Sequence, residues 1–422
     1  MTTIDILSVL KTRTPPIQNV MIFVSDALRW DCLPESIAAQ GVTFKTLTAS
    51  LLTACSFPSM MTGLHVPVHG VNNFFDRLPR DTKSLMNLDG YNTSLWNENT
   101  WLGYDPPESN PLHLLLRQKH RISIDKIEPP FIYLEDEKGG HCPFGWTLGD
   151  TDYREWECDK FFHDYGKKSK DELKEKYLQG ISRSVSEFEK RMDILRELHL
   201  AESTLVIFTA DHGELLGEYG GHVGHGEISC SEVVYVPTVF IHPSLPGGVR
   251  FDDAGIMRHV DLYPTIMDIL GKPIGPVNGI SLASTDQLPQ IGFNYYETHF
   301  KKKIVGITIN LGGKEVSVWD KDGGYLFRSG SNIANRLIRI IGKFLLKSGN
   351  TSVYLRAYPK CNMLHLAKEY FTALKYYVTE EIVFGSPNFS KKDAKLIITK
   401  IGSGERFRIH RATSKFKRKR NI

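Results

Sequence analysis

Several short apolar runs in this chain end on residues that can bind a cation or move a proton. Residues 20–24 (VMIFV) lead into Ser25 and Asp26. Residues 131–134 (FIYL) lead into Glu135 and Asp136. Residues 205–210 (LVIFTA) lead into Asp211 and His212. In open α/β sheets, ligands bind beyond the carboxyl ends of the strands. Carboxylates and an imidazole converging on that rim supply the oxygen and nitrogen donors that a divalent cation takes. A single Asp after a strand is more often a helix cap. The recurrence at three strand ends is what points to a site.

The elements that must position these residues follow from the same pattern. Continuous apolar runs bounded by polar residues and spaced far apart fit strands of a mostly parallel sheet, and 236–242 (VPTVFIH) adds a fourth. Residues 169–198 read as a charged amphipathic helix, with Leu173, Tyr177, Ile181, Phe188 and Met192 on its apolar face. Ser169 and Glu172 have capping-box spacing. Alternation of strand and helix predicts a layered α/β domain over 1–300. Residues 304–309, 315–320 and 325–328 are short strands joined by the turns LGGK and DKDGG, which predicts a small antiparallel sheet over 301–330. Residues 331–422 read as a basic helical extension, with helices at 333–347 and 363–378 and the tail KFKRKRNI.

Composition bounds the function classes. With 422 residues, 41% of them hydrophobic and 24% charged, the chain can bury a large core and is neither collagen-like nor disordered. No apolar run approaches the ~18 residues of a membrane span. The N-terminus, MTTIDILSVLKTRTPP, lacks the basic and apolar regions of a secretory signal. The six cysteines are scattered with no CxxC pair, which predicts reduced thiols and a cytoplasmic protein. The net charge of +4 hides an asymmetry: 331–422 carries +15 and 1–330 carries −11. The helix at 333–347 sets Arg336, Arg339, Lys343 and Lys347 beside an apolar face of Ile333, Leu337, Ile340, Ile341, Phe344 and Leu345. That face could lie on an anionic membrane surface, making the protein peripheral, or pack on the α/β domain with its basic side in water. No recognised nucleic-acid-binding motif accompanies the charge, so nucleic acid is not an expected partner.

The order of the segments adds a resemblance. SDALRWD (25–31), TACSFPSMMTGLHVPVHGV (53–71), LEDEKGGHCPF (134–144), TADHGELLGEYGGHVGHGE (209–227), HVDLYPTIMDILG (259–271) and NGISL (278–282) follow one another. Over roughly residues 18–300 this series resembles the sulfatase family of the alkaline phosphatase superfamily. The resemblance implies a large α/β sandwich followed by a small antiparallel sheet. It also implies a nucleophile at a helix start, bound to a divalent metal. That group attacks the sulfur or phosphorus of an ester, and water cleaves the covalent intermediate. In the family motif C-x-P-S-R, followed by a helix and T-G, counting back from Thr62 and Gly63 puts the nucleophile at Thr53. Ser56 then matches the motif Ser, as a substrate-binding group, and Phe57 replaces the Arg. Taking Cys55 as nucleophile would need Pro at 57 and Arg at 59, which are Phe57 and Ser59. The chain therefore resembles the Thr-nucleophile members, which act mostly on phosphate esters.

By the same carry-over the metal ligands are Asp26, Thr53, Asp211 and His212. The second Asp usual in sulfatases is Ala27 here, which favours Zn or Mn and leaves Ca open. His225 and His141 match positions that contact the transferred group, and His222 is a further substrate-binding candidate. A second metal would need Glu135, Asp136 or Glu137 with His141 and His225. Arg29 is expected to brace the first strand end and Asp31 to cap a helix, while His259 and Asp261 are expected in packing and hydrogen bonding. The function implied is a metal-dependent hydrolase of sulfate or phosphate esters, of a sugar or a lipid. The alternatives are a transferase of phospho-alcohol groups onto a glycan or lipid, and a binding protein that keeps the fold without the chemistry.

Overall fold

The computed structural model describes residues 5–144, 147–148, 151–152, 161, 170–226, 228–298, 301–304, 307–310, 313–329, 371–372, 374–376 and 378–402. The helix expected over 333–347 and the basic tail lie outside the described residues. So does much of the helix expected at 363–378.

The main sheet is built on β1 (Asn19–Ser25), β2 (Val42–Leu47), β3 (Asn92–Trp96), β4 (Phe131–Glu137), β5 (Thr204–Thr209), β6 (Tyr235–Ile241) and the short β7 (Val249–Phe251) and β8 (Met257–Arg258). Their order is β7-β2-β6-β5-β1-β4-β3, with β8 beside β2. Pairings β3·β4, β4·β1 and β1·β5 are parallel. The expectation of a large, mostly parallel sheet is met. One strand departs from it: β6 runs antiparallel to both β5 and β2. An apolar run reports burial and carries no direction.

Every residue of β1 is buried. Val20, Ile22 and Val24 feed the core on one side, with Phe57, Met60 and Met61. Met21 and Phe23 feed the other, with Tyr177, Ile181 and Phe188. Cover on both faces is why the strand reads as a continuous apolar run. The second layer is the long α2 (Lys170–Glu197), whose buried residues include the five named from the periodicity. The first is α1 (Thr53–Thr62), all ten of whose residues are buried, and α3 (His259–Ile269) beside it.

A separate four-stranded antiparallel sheet has the order β9 (Gly292–Thr298), β10 (Gly313–Trp319), β11 (Gly323–Ser329) and β12 (Glu381–Gly385). The small sheet is therefore not confined to 301–330. It begins at Gly292 and takes its fourth strand from within 331–422. The run at 304–309 belongs to a different hairpin, Lys301–Ile304 with Ile307–Asn310. A last helix, α4 (Lys391–Gly402), packs Ala394, Ile397 and Ile401 with Val316 and Val318 of β10.

Glu135 is not at the rim beyond the strand end. It lies inside β4, where Arg191 of α2 holds it through Nη2 at 2.8 Å and Nε at 3.0 Å, and the Tyr133 hydroxyl donates at 2.9 Å. Burial pushes the Glu135 carboxyl up even so. Removing one partner of a buried pair strands the other charge. Arg191→Met is therefore expected to destabilise the fold by about 3–5 kcal/mol in urea unfolding, with metal affinity unchanged.

His65 and His69 are fully buried just beyond α1, and burial lowers both to about 3. His69 Nδ1 accepts the Val71 N–H, so its Nε2–H faces Ser59 Oγ at 3.0 Å. In the unfolded chain both would titrate near ~6.5. Below that value the unfolded state binds protons that the folded state refuses, so stability falls with pH until the folded value is reached. Each ring contributes up to about 1.4 kcal/mol per pH unit. Tm is expected to drop steadily as pH falls through this window, and His69→Gln should flatten the slope.

Candidate active site

The site forms where β1 and β5 run side by side. Asp26 directly follows β1, and its backbone is held on both sides: its N–H donates to Glu137 O and its carbonyl accepts from Gly140 N, each at 2.8 Å. Gly139 permits that approach, since a Cβ there would lie 2.6 Å from Asp26 O and Ser25 Oγ. The next residue, Ala27, takes a left-handed φ of 59°. A non-glycine residue there costs about 1–2 kcal/mol and needs outside support. Ala27 N–H donates to Asp211 Oδ1 at 3.3 Å, and the Tyr177 hydroxyl donates to Ala27 O at 2.9 Å. Arg29 N–H in turn donates to that hydroxyl at 2.9 Å.

Thr53 is the first residue of α1 and is 7% exposed. The loop before it is tied down from three directions. Ala49 N–H donates to His259 Nδ1 at 3.3 Å, and the other ring nitrogen donates to Ala210 O, at the end of β5, at 3.0 Å. Asn294 of β9 donates to Thr48 Oγ1 at 3.0 Å, and Tyr295 N–H to Ala49 O at 3.0 Å. Ser56 Oγ donates to Ser50 O at 3.2 Å. The small sheet is thus a buttress for the loop that presents Thr53, and His259 is the hydrogen-bonding element expected of it.

Asp26, Asp211 and His212 are buried and bring one donor atom each within 4.8 Å of one another. His212 Nε2 is 3.7 Å from Asp26 Oδ1, 3.4 Å from Asp211 Oδ2 and 3.4 Å from Thr53 Oγ1. Burial lowers His212 to about 3, so the ring is neutral and has a lone pair to offer. Burial opposes ionisation of Asp211, but the hydrogen bonds from Thr53 and Ala27 favour the carboxylate and the carboxyl is held below its usual range. Among the described residues Asp211 Oδ2 has no hydrogen-bond partner. A buried cluster of two carboxylates, a neutral imidazole and a hydroxyl fits a small divalent cation. The donor separations suit ligands ~2.0–2.2 Å from a tetrahedral ion. Among the described residues no other group of three such side chains meets this condition.

The remaining candidates fall around this cluster. The His225 ring stacks on His212, with centroids 4.0 Å apart at 30°. His141 meets His225 edge-on at 4.9 Å. His225 Nδ1 lies 3.1 Å from Glu214 Oε2. His222 Nδ1 lies 2.9 Å from Tyr219 O. Glu137, pushed up to about 7 by burial, accepts the Gly139 N–H at 2.9 Å. Cys55 is buried, and burial pushes its thiol up to about 12, far from a thiolate at neutral pH. Arg29 pairs with Asp31 at 2.8 Å and Glu218 at 2.7 Å and donates to Glu214 O at 3.3 Å. It therefore braces the rim loop as well as its own strand end. Asp31 serves this pair rather than a helix cap. Sequence reasoning gave no role to Glu214 and placed Tyr177 only on the apolar face of its helix; the block DHGE contains the first, but nothing in the letters says that its carboxylate is buried.

Comparisons with known proteins place the chain among sulfatases and the fold among theirs. The family model described as Sulfatase matches residues 130–272. The chain is 35% identical to the low-salt glycan biosynthesis sulfotransferase Agl7 of Haloferax volcanii over 320 residues, 73% of this chain and 74% of that protein. It is 35% identical to human arylsulfatase K over 81 residues, 19% of this chain and 14% of that protein. Among solved structures, a 2-O GAG sulfatase superposes with a TM-score of 0.56 at 16% identity, covering 74% of this chain and 83% of that one. The phosphonate monoester hydrolase of Agrobacterium radiobacter gives 0.53 at 16% identity, covering 85% and 95%. No helix among the described residues is long and apolar enough to cross a membrane.

Proposed function

Because the chain belongs to the sulfatase family, we propose that it is a metal-dependent hydrolase that takes the sulfuryl or phosphoryl group of an ester, preferably a sugar ester, onto Thr53 and then gives it to water. The observation that carries this reading is the Thr53 hydroxyl at a helix start, 3.4 Å from His212 Nε2, beside the buried Asp26, Asp211 and His212 donors.

Asp26, Thr53, Asp211 and His212 would hold the ion, with Zn or Mn suiting the donor set. A bound divalent ion would lower the pKa of the Thr53 hydroxyl and offset charge on the ester oxygens. The chain's own groups do the rest. Thr53 Oγ attacks the sulfur or phosphorus. The bond from Oγ forms as the bond to the ester oxygen breaks, and the Thr53 proton passes to Asp211, which accepts its hydrogen bond. The leaving alkoxide takes a proton from His225 or His141. Water then attacks the Thr53 ester, gives its proton to that histidine, and Thr53 Oγ leaves and recovers its own. The position of Thr53 at the first turn favours its negative charge, and imidazoles near the transferred oxygens stabilise charge where it develops.

A second reading is transfer to a sugar hydroxyl in place of water. The relative matched over 74% of its length is named a glycan biosynthesis sulfotransferase, which favours it. The balance of atoms is the same, with the acceptor alcohol replacing water. One experiment addresses both. Metal-reconstituted protein is given aryl sulfate, aryl phosphate and bis-aryl phosphate, with and without a saccharide acceptor. Free sulfate or phosphate as product supports hydrolysis. Modified saccharide at the expense of the free anion supports transfer. Metal bound at the site with no turnover of any ester and no modified acceptor would favour a binding protein.

A further inference from the structure

We propose that Glu214 is a positioning residue for His225. Its carboxylate keeps a proton on Nδ1 throughout, so that Nε2 is the nitrogen that gives a proton to the leaving group when it carries one and takes one from water when it is bare. This rests on the reading that His225 acts at the ester, and it adds a residue to that machinery.

Glu214 is 0% exposed, and its Oε2 lies 3.1 Å from His225 Nδ1. A carboxylate oxygen only accepts, so the proton between the two belongs on Nδ1. The partner of one ring nitrogen decides which tautomer the other presents. Among the described residues the second oxygen, Oε1, has no hydrogen-bond partner. Among them the side chain gives its hydrogen bond to the histidine, and burying a carboxylate is costly unless it is paired.

The backbone around Glu214 cannot drift. Gly213 N–H donates to Val233 O at 2.8 Å, and Arg29 Nη1 donates to Glu214 O at 3.3 Å. Glu218, which accepts from Leu216 N–H at 2.6 Å, pairs with the same guanidinium at 2.7 Å. The ring is confined on its other sides by the stack on His212 at 4.0 Å and the edge of His141 at 4.9 Å. These contacts limit where the ring lies, but only Glu214 chooses which nitrogen carries the proton. Glu214 itself is not part of the group formed by Asp26, Asp211 and His212.

The test has two arms. In the first, metal-free protein labelled with ¹⁵N-histidine is studied by two-bond ¹H–¹⁵N spectra at a pH where histidine is neutral. The His225 signals are identified as those missing from His225→Gln. The wild type should show a protonated Nδ1 and a bare Nε2. Glu214→Gln, whose amide oxygen still accepts, should keep that pattern, and Glu214→Leu should lose it. A wild-type His225 protonated on Nε2, or an unchanged pattern in Glu214→Leu, would overturn the proposal. The wild-type spectrum decides even where Glu214→Leu folds poorly. In the second arm, Glu214→Leu should lower kcat about 10–100-fold with KM little changed, the scale for losing the hydrogen-bond partner that orients a working histidine. Glu214→Gln should restore most of it. In a His225→Ala background the same change should add less than about twofold, because residues acting as a unit are not additive. Equal losses in both backgrounds would mean a structural role and sink the idea. Loss of the hydrolase reading would leave the spectra of the first arm as they are, so the two failures are distinguishable.

Discussion

Thr53→Ala is expected to abolish turnover: kcat should fall by about 10³–10⁶-fold on any ester the wild type cleaves, the range for removal of a catalytic nucleophile. The fold should survive, because the change removes only one hydroxyl and one methyl from a helix all of whose other residues stay packed. Thr53→Ser keeps the hydroxyl and should retain activity within about tenfold. Cys55→Ala is the control. That thiol is buried and raised to about 12, so its loss should leave kcat unchanged within about twofold. Steady-state kinetics on the three variants, with metal content measured alongside, separates the candidates. Retained activity in Thr53→Ala with loss in Cys55→Ala would reverse the assignment.

The second large effect is on the metal. Wild-type protein stripped with chelator should bind one equivalent of Zn or Mn, recover activity and gain thermal stability. At a free metal concentration a hundredfold above Kd the gain is about 2.7 kcal/mol. Asp211→Ala should lose tight binding, the Tm rise and turnover together. The reason is local: Asp211 is the buried carboxylate that hydrogen-bonds both Thr53 and Ala27, so its loss removes a ligand and loosens the residues on either side. Calorimetry and melting curves with and without metal check this. An Asp211→Ala protein that still binds metal tightly would move the ion elsewhere.

Much of this site could be read from the letters. Strands covered on both faces appear as unbroken apolar runs, so β1 and β5 could be found, and the residues that follow them, Asp26 and Asp211-His212, fall on the rim. The same rule misplaced Glu135, because β4 continues through its acidic residues to Glu137. What makes a buried Glu135 tolerable is Arg191, a partner far along the chain that no local pattern reveals. The direction of β6 was hidden for a related reason, since antiparallel pairing depends on the connection rather than the run. The small sheet could be seen only in part, because its outer strand Glu381–Gly385 returns from beyond a long stretch of chain.

The rim loop resisted reading most. Gly217, Tyr219, Gly220, Gly221 and Gly224 all have positive φ, so neither strand nor helix periodicity applies. The sequence could not choose between His222 and His225. In the structure His225 lies on His212 and His222 faces Tyr219 O, a distinction made by backbone turns that glycine permits. Glu214 had no pattern to mark it: it is 0% exposed just before the hairpin Leu215–Gly217 with His222–Gly224, and no local periodicity predicts that burial.

The central claim is that Thr53 carries the group in transit. The most direct measurement is peptide mass mapping of metal-loaded protein quenched with acid during turnover of an aryl sulfate or aryl phosphate. One sulfuryl or phosphoryl group is expected on the peptide containing residues 53–62, with fragmentation placing it on Thr53, and in Thr53→Ser the group should be found at position 53 alone. A modification on Cys55, or turnover in which no adduct forms on this peptide under any quench time, would contradict it.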